Sequence, residues 1–180
     1  MLAHKVRKGG GYQFRAVIRD VNTNKLGSVN QFIDVPDFKK KHLALSGVLL
    51  HERHPDTPPA VAIGELAIPT DGWSSRTFQP GTELAYEYEI LNMRQEPTSK
   101  KPQLQAQIRL LHEGKELFLG KPANVNTMEG ATSKYFAAQG AFRLGKNMTP
   151  GSYVLQVMVT DTLAPEKHQR AMQWVEFEVK

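Results

Sequence analysis

Apolar and polar residues alternate with period two along most of this chain, the pattern of strands with one buried and one wetted face. The clearest run is Glu83-Leu84-Ala85-Tyr86-Glu87-Tyr88-Glu89-Ile90. Leu84, Tyr86, Tyr88 and Ile90 share one face, and Glu87 and Glu89 lie on the other. Leu104-Gln105-Ala106-Gln107-Ile108-Arg109-Leu110 alternates in the same way, and Glu113-Gly114-Lys115 then reads as a hairpin turn into Glu116-Leu117-Phe118-Leu119. Further strands are predicted over 43–51, 139–144, 153–161 and 171–179. Pro58-Pro59, Pro80-Gly81, Pro102, Pro122 and Pro150-Gly151 punctuate the runs, and no segment carries a convincing amphipathic helix. The expectation is an all-β chain. About seven antiparallel strands from residue 43 onward fit an immunoglobulin-like β-sandwich, with the excess over roughly 100 residues placed in loops at 52–82 and 121–137.

A repeat is the most informative pattern. Tyr12-Gln13-Phe14-Arg15-Ala16-Val17-Ile18-Arg19-Asp20 matches Tyr153-Val154-Leu155-Gln156-Val157-Met158-Val159-Thr160-Asp161 in character, position for position. Each follows a glycine-bearing turn, Gly10-Gly11 or Pro150-Gly151-Ser152. A second strand follows each copy, Gln31-Phe32-Ile33-Asp34-Val35 and Gln173-Trp174-Val175-Glu176-Phe177. This alignment makes Phe32 equivalent to Trp174 and puts one extra residue in the second connecting loop.

One hairpin therefore occurs at both ends. Residues 1–37 read as a β-hairpin resembling the closing strands of an upstream sandwich, and 38–180 as a complete sandwich. The alternative is that the hairpin adds two strands to a single domain. Two strands cannot cover their own apolar face. Phe14, Ile18, Ile33 and Val35 thus require cover from the sandwich, from a protein partner, or by self-association through the N-terminal hairpin. Tyr153 stands where a tyrosine corner belongs, its hydroxyl bonding back across the turn; the other reading is an ordinary inward aromatic. Val175, Phe177 and Val179 alternate inward, which turns Trp174 away from the core. There it is either a binding anchor or a residue packed beneath a loop.

Hydrophobic residues at 40% and charged residues at 23% are ordinary for a globular protein. No run approaches the about 18 apolar residues of a membrane helix, so membrane insertion is not expected. The first eight residues lack the apolar core of a signal peptide. Cysteine is absent, which removes disulfides, thiolate catalysis and thiolate zinc sites. The net charge of +5 is spread over the chain, with short runs only at Lys39-Lys40-Lys41 and Lys100-Lys101. Neither run has interleaved aromatics, so no nucleic-acid partner is expected.

Catalytic signatures are missing: no nucleophile elbow, phosphate loop or His-Glu-x-x-His. His51-Glu52-Arg53-His54, with Asp56 nearby, comes closest to a metal site. On extended backbone, however, residues three apart point to opposite faces. Asp20 and Asp161 end equivalent strands and read as turn formers bonding local amides, not as calcium ligands. Ser46, Ser74 and Ser75 have no histidine and carboxylate at suggestive spacing. No enzyme, cofactor or metal is expected from these residues.

Gly11–Asp20, Gly27–Asp37, Leu43–Val48, Pro150–Val157 and Gln173–Phe177, taken in that order, resemble the C-terminal region of bacterial exported proteins related to von Willebrand factor A, abundant in acidobacteria. In that family an A domain, which can carry a metal-dependent adhesion site with an Asp-x-Ser-x-Ser signature, precedes the sandwiches. No such signature occurs here, so metal-dependent adhesion is carried over to no residue. The resemblance implies an accessory sandwich of a periplasmic or extracellular protein. The expected function is a non-catalytic structural or protein-interaction module, with Trp174 and Phe32 as its interaction surface. The alternative, a carbohydrate-binding module of the same sandwich class, would need exposed aromatics in a row, for which Trp73, Phe78 and Trp174 are the candidates.

Overall fold

A computed structural model of the protein describes residues 6, 8–35, 37, 42–53, 76–125 and 135–180. The chain divides into two compact units, Met1–Lys41 and His42–Lys180. Among the described residues every regular element is a strand apart from one 3-10 turn, Glu166–His168, so the chain is all-β as its alternation predicts.

The first unit is a hairpin of β1 (Gly10–Arg19) and β2 (Leu26–Val35), paired antiparallel from Gly10↔Val35 to Arg19↔Leu26. Asp20 organises its turn. The Asp20 amide donates to Lys25 O at 3.0 Å, and Asp20 Oδ1 accepts from the Asn22 and Thr23 amides at 2.8 and 3.0 Å. Asn24 takes the left-handed conformation at φ 56°, which asparagine tolerates better than most residues.

The second unit begins with β3 (Ala44–Leu45), β4 (Leu49–Glu52), β5 (Thr77–Phe78), β6 (Glu83–Leu91) and β7 (Leu104–His112). It continues with β8 (Lys115–Leu119), β9 (Ala123–Asn124), β10 (Tyr135–Arg143), β11 (Gly151–Asp161) and β12 (Arg170–Val179). In one sheet β6 is central, flanked by β10 on one side and by β3 and β4 on the other. The other sheet runs β5-β12-β11-β7-β8, with β9 sharing the outer edge of β7. Among the described strands only β5, on β12, pairs in parallel. Both sheets contribute to a single core: Leu84, Tyr88 and Ile90 of β6 and Phe136 of β10 meet Leu155, Val157 and Val159 of β11 and Val175, Phe177 and Val179 of β12. The result is a β-sandwich.

The alternation predicts the faces of the long strands correctly. Leu104 is buried, and Ala106, Ile108 and Leu110 pack against the core. The Glu113-Gly114 turn stands at φ 50° and 75°, two successive left-handed residues of the kind a tight two-residue hairpin requires.

Strand ends depart from expectation in four places. The 43–51 strand is broken: the Ser46 amide donates to Glu89 O, and Ser46 Oγ accepts from the Glu89 amide at 2.8 Å, which interrupts the ladder between β3 and β4. β5 lies inside the predicted 52–82 loop, a two-residue strand too short to show any period. β9 lies inside the predicted 121–137 loop, whose end is also strand, because β10 starts at Tyr135. There Ala137-Ala138-Gln139-Gly140 gives no alternation to read, and the ladder to β6 defines the strand. Gly140 pairs with Tyr86, whose ring occupies the space a Cβ on Gly140 would need.

Candidate interaction surfaces

The outer side of the larger sheet carries the first candidate. Alternation along β12 sends Gln173, Val175, Phe177 and Val179 inward and leaves Met172, Trp174, Glu176 and Glu178 outside. Trp174 is 41% exposed and Met172 47%. Across the strands Trp174 faces Gln156 of β11, which faces Arg109 of β7, which faces Leu119 of β8. Met172 faces Met158, and Val154 faces Leu111. Gln107, Gln156, Glu176 and Arg170 share this face with those apolar residues, and Arg109 is engaged there, with its Nε 2.7 Å from Glu116 Oε2. Trp174 therefore lies away from the core, as its sequence position predicts.

Phe32 is placed differently. The repeat alignment makes it the partner of Trp174, and the strand register corrects this. Tyr12 pairs with Ile33, and Tyr153 pairs with Phe177. With Tyr12 equivalent to Tyr153, the equivalents of Ile33 and Phe32 are Phe177 and Glu176, and that of Trp174 is Asn30. The second hairpin accordingly has three extra loop residues, not one, because Glu166–His168 forms a helical turn within the connection. A shift of two preserves the face, which is why alternation alone did not reveal it. The exposed Phe32 ring lies over Gly11, so close that a Cβ there would approach Phe32 Cζ to 2.7 Å.

The hairpin presents the second candidate. Tyr12, Phe14, Ala16 and Ile18 share a face with Val29 and Ile33. Phe14 is 47% exposed and Ile18 74%.

A third feature is a cavity of about 420 Å³ between the sheets, walled by Tyr86, Tyr88, Ile108 and Val125, with Lys121 and Asn124 also lining it. Burial pushes both phenols above their ordinary range, Tyr88 further because Tyr86 adds to the effect. They remain neutral hydrogen-bonding groups at physiological pH. Nothing in the alternation pointed to this cavity, since it lies where β9 and β10 leave the sheets apart.

Several other expectations can be placed. Tyr153 does form a tyrosine corner, donating to Thr149 O at 2.7 Å. Asp161 is buried and bonds amides: Oδ1 accepts from Leu163 at 3.0 Å and Oδ2 from Arg94 at 2.7 Å. His51 Nε2 lies 3.9 Å from Glu87 Oε1. Among the described residues no group of three or more His, Asp or Glu side chains is arranged to hold a metal ion. Phe78, a candidate for a carbohydrate-binding row, is a core residue packed edge-on against Phe177. Lys39-Lys40-Lys41, His54, Asp56, Trp73, Ser74 and Ser75 lie outside the described residues. No helix of the described residues is long and apolar enough to cross a membrane. Compared with family models and with curated proteins, the chain matches none.

Proposed function

We propose that this protein is a non-catalytic structural or protein-interaction module of immunoglobulin-like type, binding through the outer face of its larger sheet. The strand order favours the immunoglobulin-like assignment: β3, β4, β6 and β10 lie in one sheet, β7, β8, β11 and β12 in the other, and a short parallel strand flanks the last. The exported bacterial setting follows from the sequence resemblance.

The observation that carries the interaction reading is the field around Trp174. An exposed tryptophan with methionines and an arginine close by is the composition enriched in protein interfaces. A row of sugar-stacking aromatics is not supported, because the cross-strand neighbours of Trp174 are Gln156, Arg109 and Leu119. On the sandwich surface Glu83 pairs with Arg53 and Arg143, and Arg109 with Glu116.

The test is a pull-down from a periplasmic extract of an acidobacterium, using the full chain and a Trp174→Ala/Met172→Ser variant, beside a glycan array. A partner retained by the parent chain and lost by the variant supports the reading. Specific glycan binding that depends on Trp174 refutes it in favour of a carbohydrate-binding module.

A further inference from the structure

The N-terminal hairpin repeats the β11–β12 pair in its local devices as well as its register. Tyr12 donates to Lys8 O and Tyr153 to Thr149 O, each four residues back and each at 2.7 Å. Gly10 and Gly151, two residues before those tyrosines, stand at φ 142° and 147°, a region that side chains rarely enter. At the other end the Asp20 amide donates to Lys25 O and the Asp161 amide to Gln169 O, and each carboxylate accepts the amide two residues on. In the sandwich this construction is covered: β7 pairs along β11 and the opposite sheet buries its inner face. In the hairpin the corresponding edge of β1 has no strand among those described.

We propose that the hairpin is the closing strand pair of a second immunoglobulin-like sandwich, and that its occupant is the remaining strand set of such a fold, docking a strand with acidic residues on the outer face of β1. The register on β11 specifies the contact. Leu155, Val157 and Val159 oppose Leu110, Ile108 and Ala106, while Gln156 and Thr160 oppose Arg109 and Gln105. Carried to β1, the occupant sets apolar residues against Phe14, Ala16 and Ile18, and its outer residues against Arg15 and Arg19. Among the described residues those guanidiniums are held by neutral side chains, Arg15 by Gln13 and Arg19 by Asn24, so carboxylates are their complement.

A second copy fits less well. Antiparallel β1 strands centred on Arg15 set the two Arg15 guanidiniums opposite each other, and strands centred on Val17 set Arg15 opposite Arg19.

The proposal concerns a different surface from Trp174, so either reading can fail alone. Its test uses the isotope-labelled full chain and two synthetic peptides, one with the sequence Leu104–His112 and one carrying Gln105→Glu and Arg109→Glu. The acidic peptide should slow amide exchange along β1 and bind about fivefold tighter than its parent at low salt, the gap closing at high salt. Ile18→Asp in the full chain should remove binding, whereas Val21→Asp, the same charge placed in the turn, should retain it. Failure of both peptides at millimolar concentration overturns the proposal, as does equal binding of the two. Protection of β1 that rises with protein concentration in the absence of peptide overturns it in favour of a second copy.

Discussion

The two hairpins of this chain share a backbone design and differ in what surrounds it. Both start at a glycine with positive φ, both anchor a tyrosine hydroxyl four residues back, and both end at an aspartate that holds the turn. Yet Leu155 and Val159 are 0% exposed, while their equivalents Phe14 and Ile18 are 47% and 74% exposed. Turn and corner geometry are thus written in a few local residues and form without burial. The hydrophobic contribution, by contrast, depends on neighbours supplied from far along the chain. Equivalent substitutions should therefore have unequal costs, and that inequality measures what each hairpin lacks.

The largest contrast is expected at the paired inner positions. Leu155 is enclosed by both sheets, so Leu155→Ala should destabilise the sandwich by about 2–5 kcal/mol, through lost transfer energy and an unfilled cavity. Phe14→Ala removes a ring already half in water and should change the unfolding of the sandwich by within about 0.5 kcal/mol. Urea denaturation followed by circular dichroism measures both. Similar losses would mean that Phe14 is part of the sandwich core and that the comparison is misdrawn.

The next contrast lies in the tyrosine corners. Tyr153 is buried, and its hydroxyl is within reach of both Thr149 O and Thr149 Oγ1. Tyr153→Phe strands that carbonyl and should cost about 1–3 kcal/mol. Tyr12 is only half buried, so water can replace its hydroxyl. Tyr12→Phe should then cost a few tenths of a kcal/mol of hairpin stability, read from amide exchange in β1. Equal effects would show that the Tyr12 corner is as dry as its counterpart.

These contrasts also show what could be read from the sequence. Alternation is a local signal, so it placed the faces of β6, β7, β11 and β12 and turned Trp174 outward. The repeat was visible because Tyr12 and Tyr153 follow their glycines at the same spacing. The repeat alignment failed on the second strand, since pairing Gln31 with Gln173 ignored the helical turn that lengthens one connection. Phe32 and Trp174 were equated for that reason. Phe78 was misread because β5 owes its burial to a parallel contact with β12, about a hundred residues away. The field around Trp174 was invisible for the same cause: Met158, Arg109 and Leu119 join it only through strand pairing. Long-range pairing leaves no trace in a short window.

The smallest expected effect concerns charge in the two turns. Asp20 accepts the amides of Thr23 and Asn22, which hold its carboxyl below the ordinary value of 3.8, the Thr23 amide contributing most. A carboxylate stabilised in the folded turn gives up its proton more readily there than in the open chain. Its contribution to hairpin stability is therefore complete above that ordinary value and is lost as pH falls through the lower, folded one. The group is solvent-exposed, so the effect should be confined to the turn. Carbon-detected titration of the Asp20 carboxyl should show a midpoint below 3.8, with the Asn22 and Thr23 amide shifts moving in step. In Asp20→Asn the side-chain oxygen can still accept both amides, so the turn should persist and its acid response disappear. Asp161 offers the internal control, because its second oxygen also receives the Arg94 amide from outside the turn. Asp161→Asn should therefore weaken the sandwich at neutral pH, where Asp20→Asn leaves the hairpin intact. An Asp20 midpoint at or above 3.8 would mean that the turn opens in solution and that the two aspartates do not play the same part.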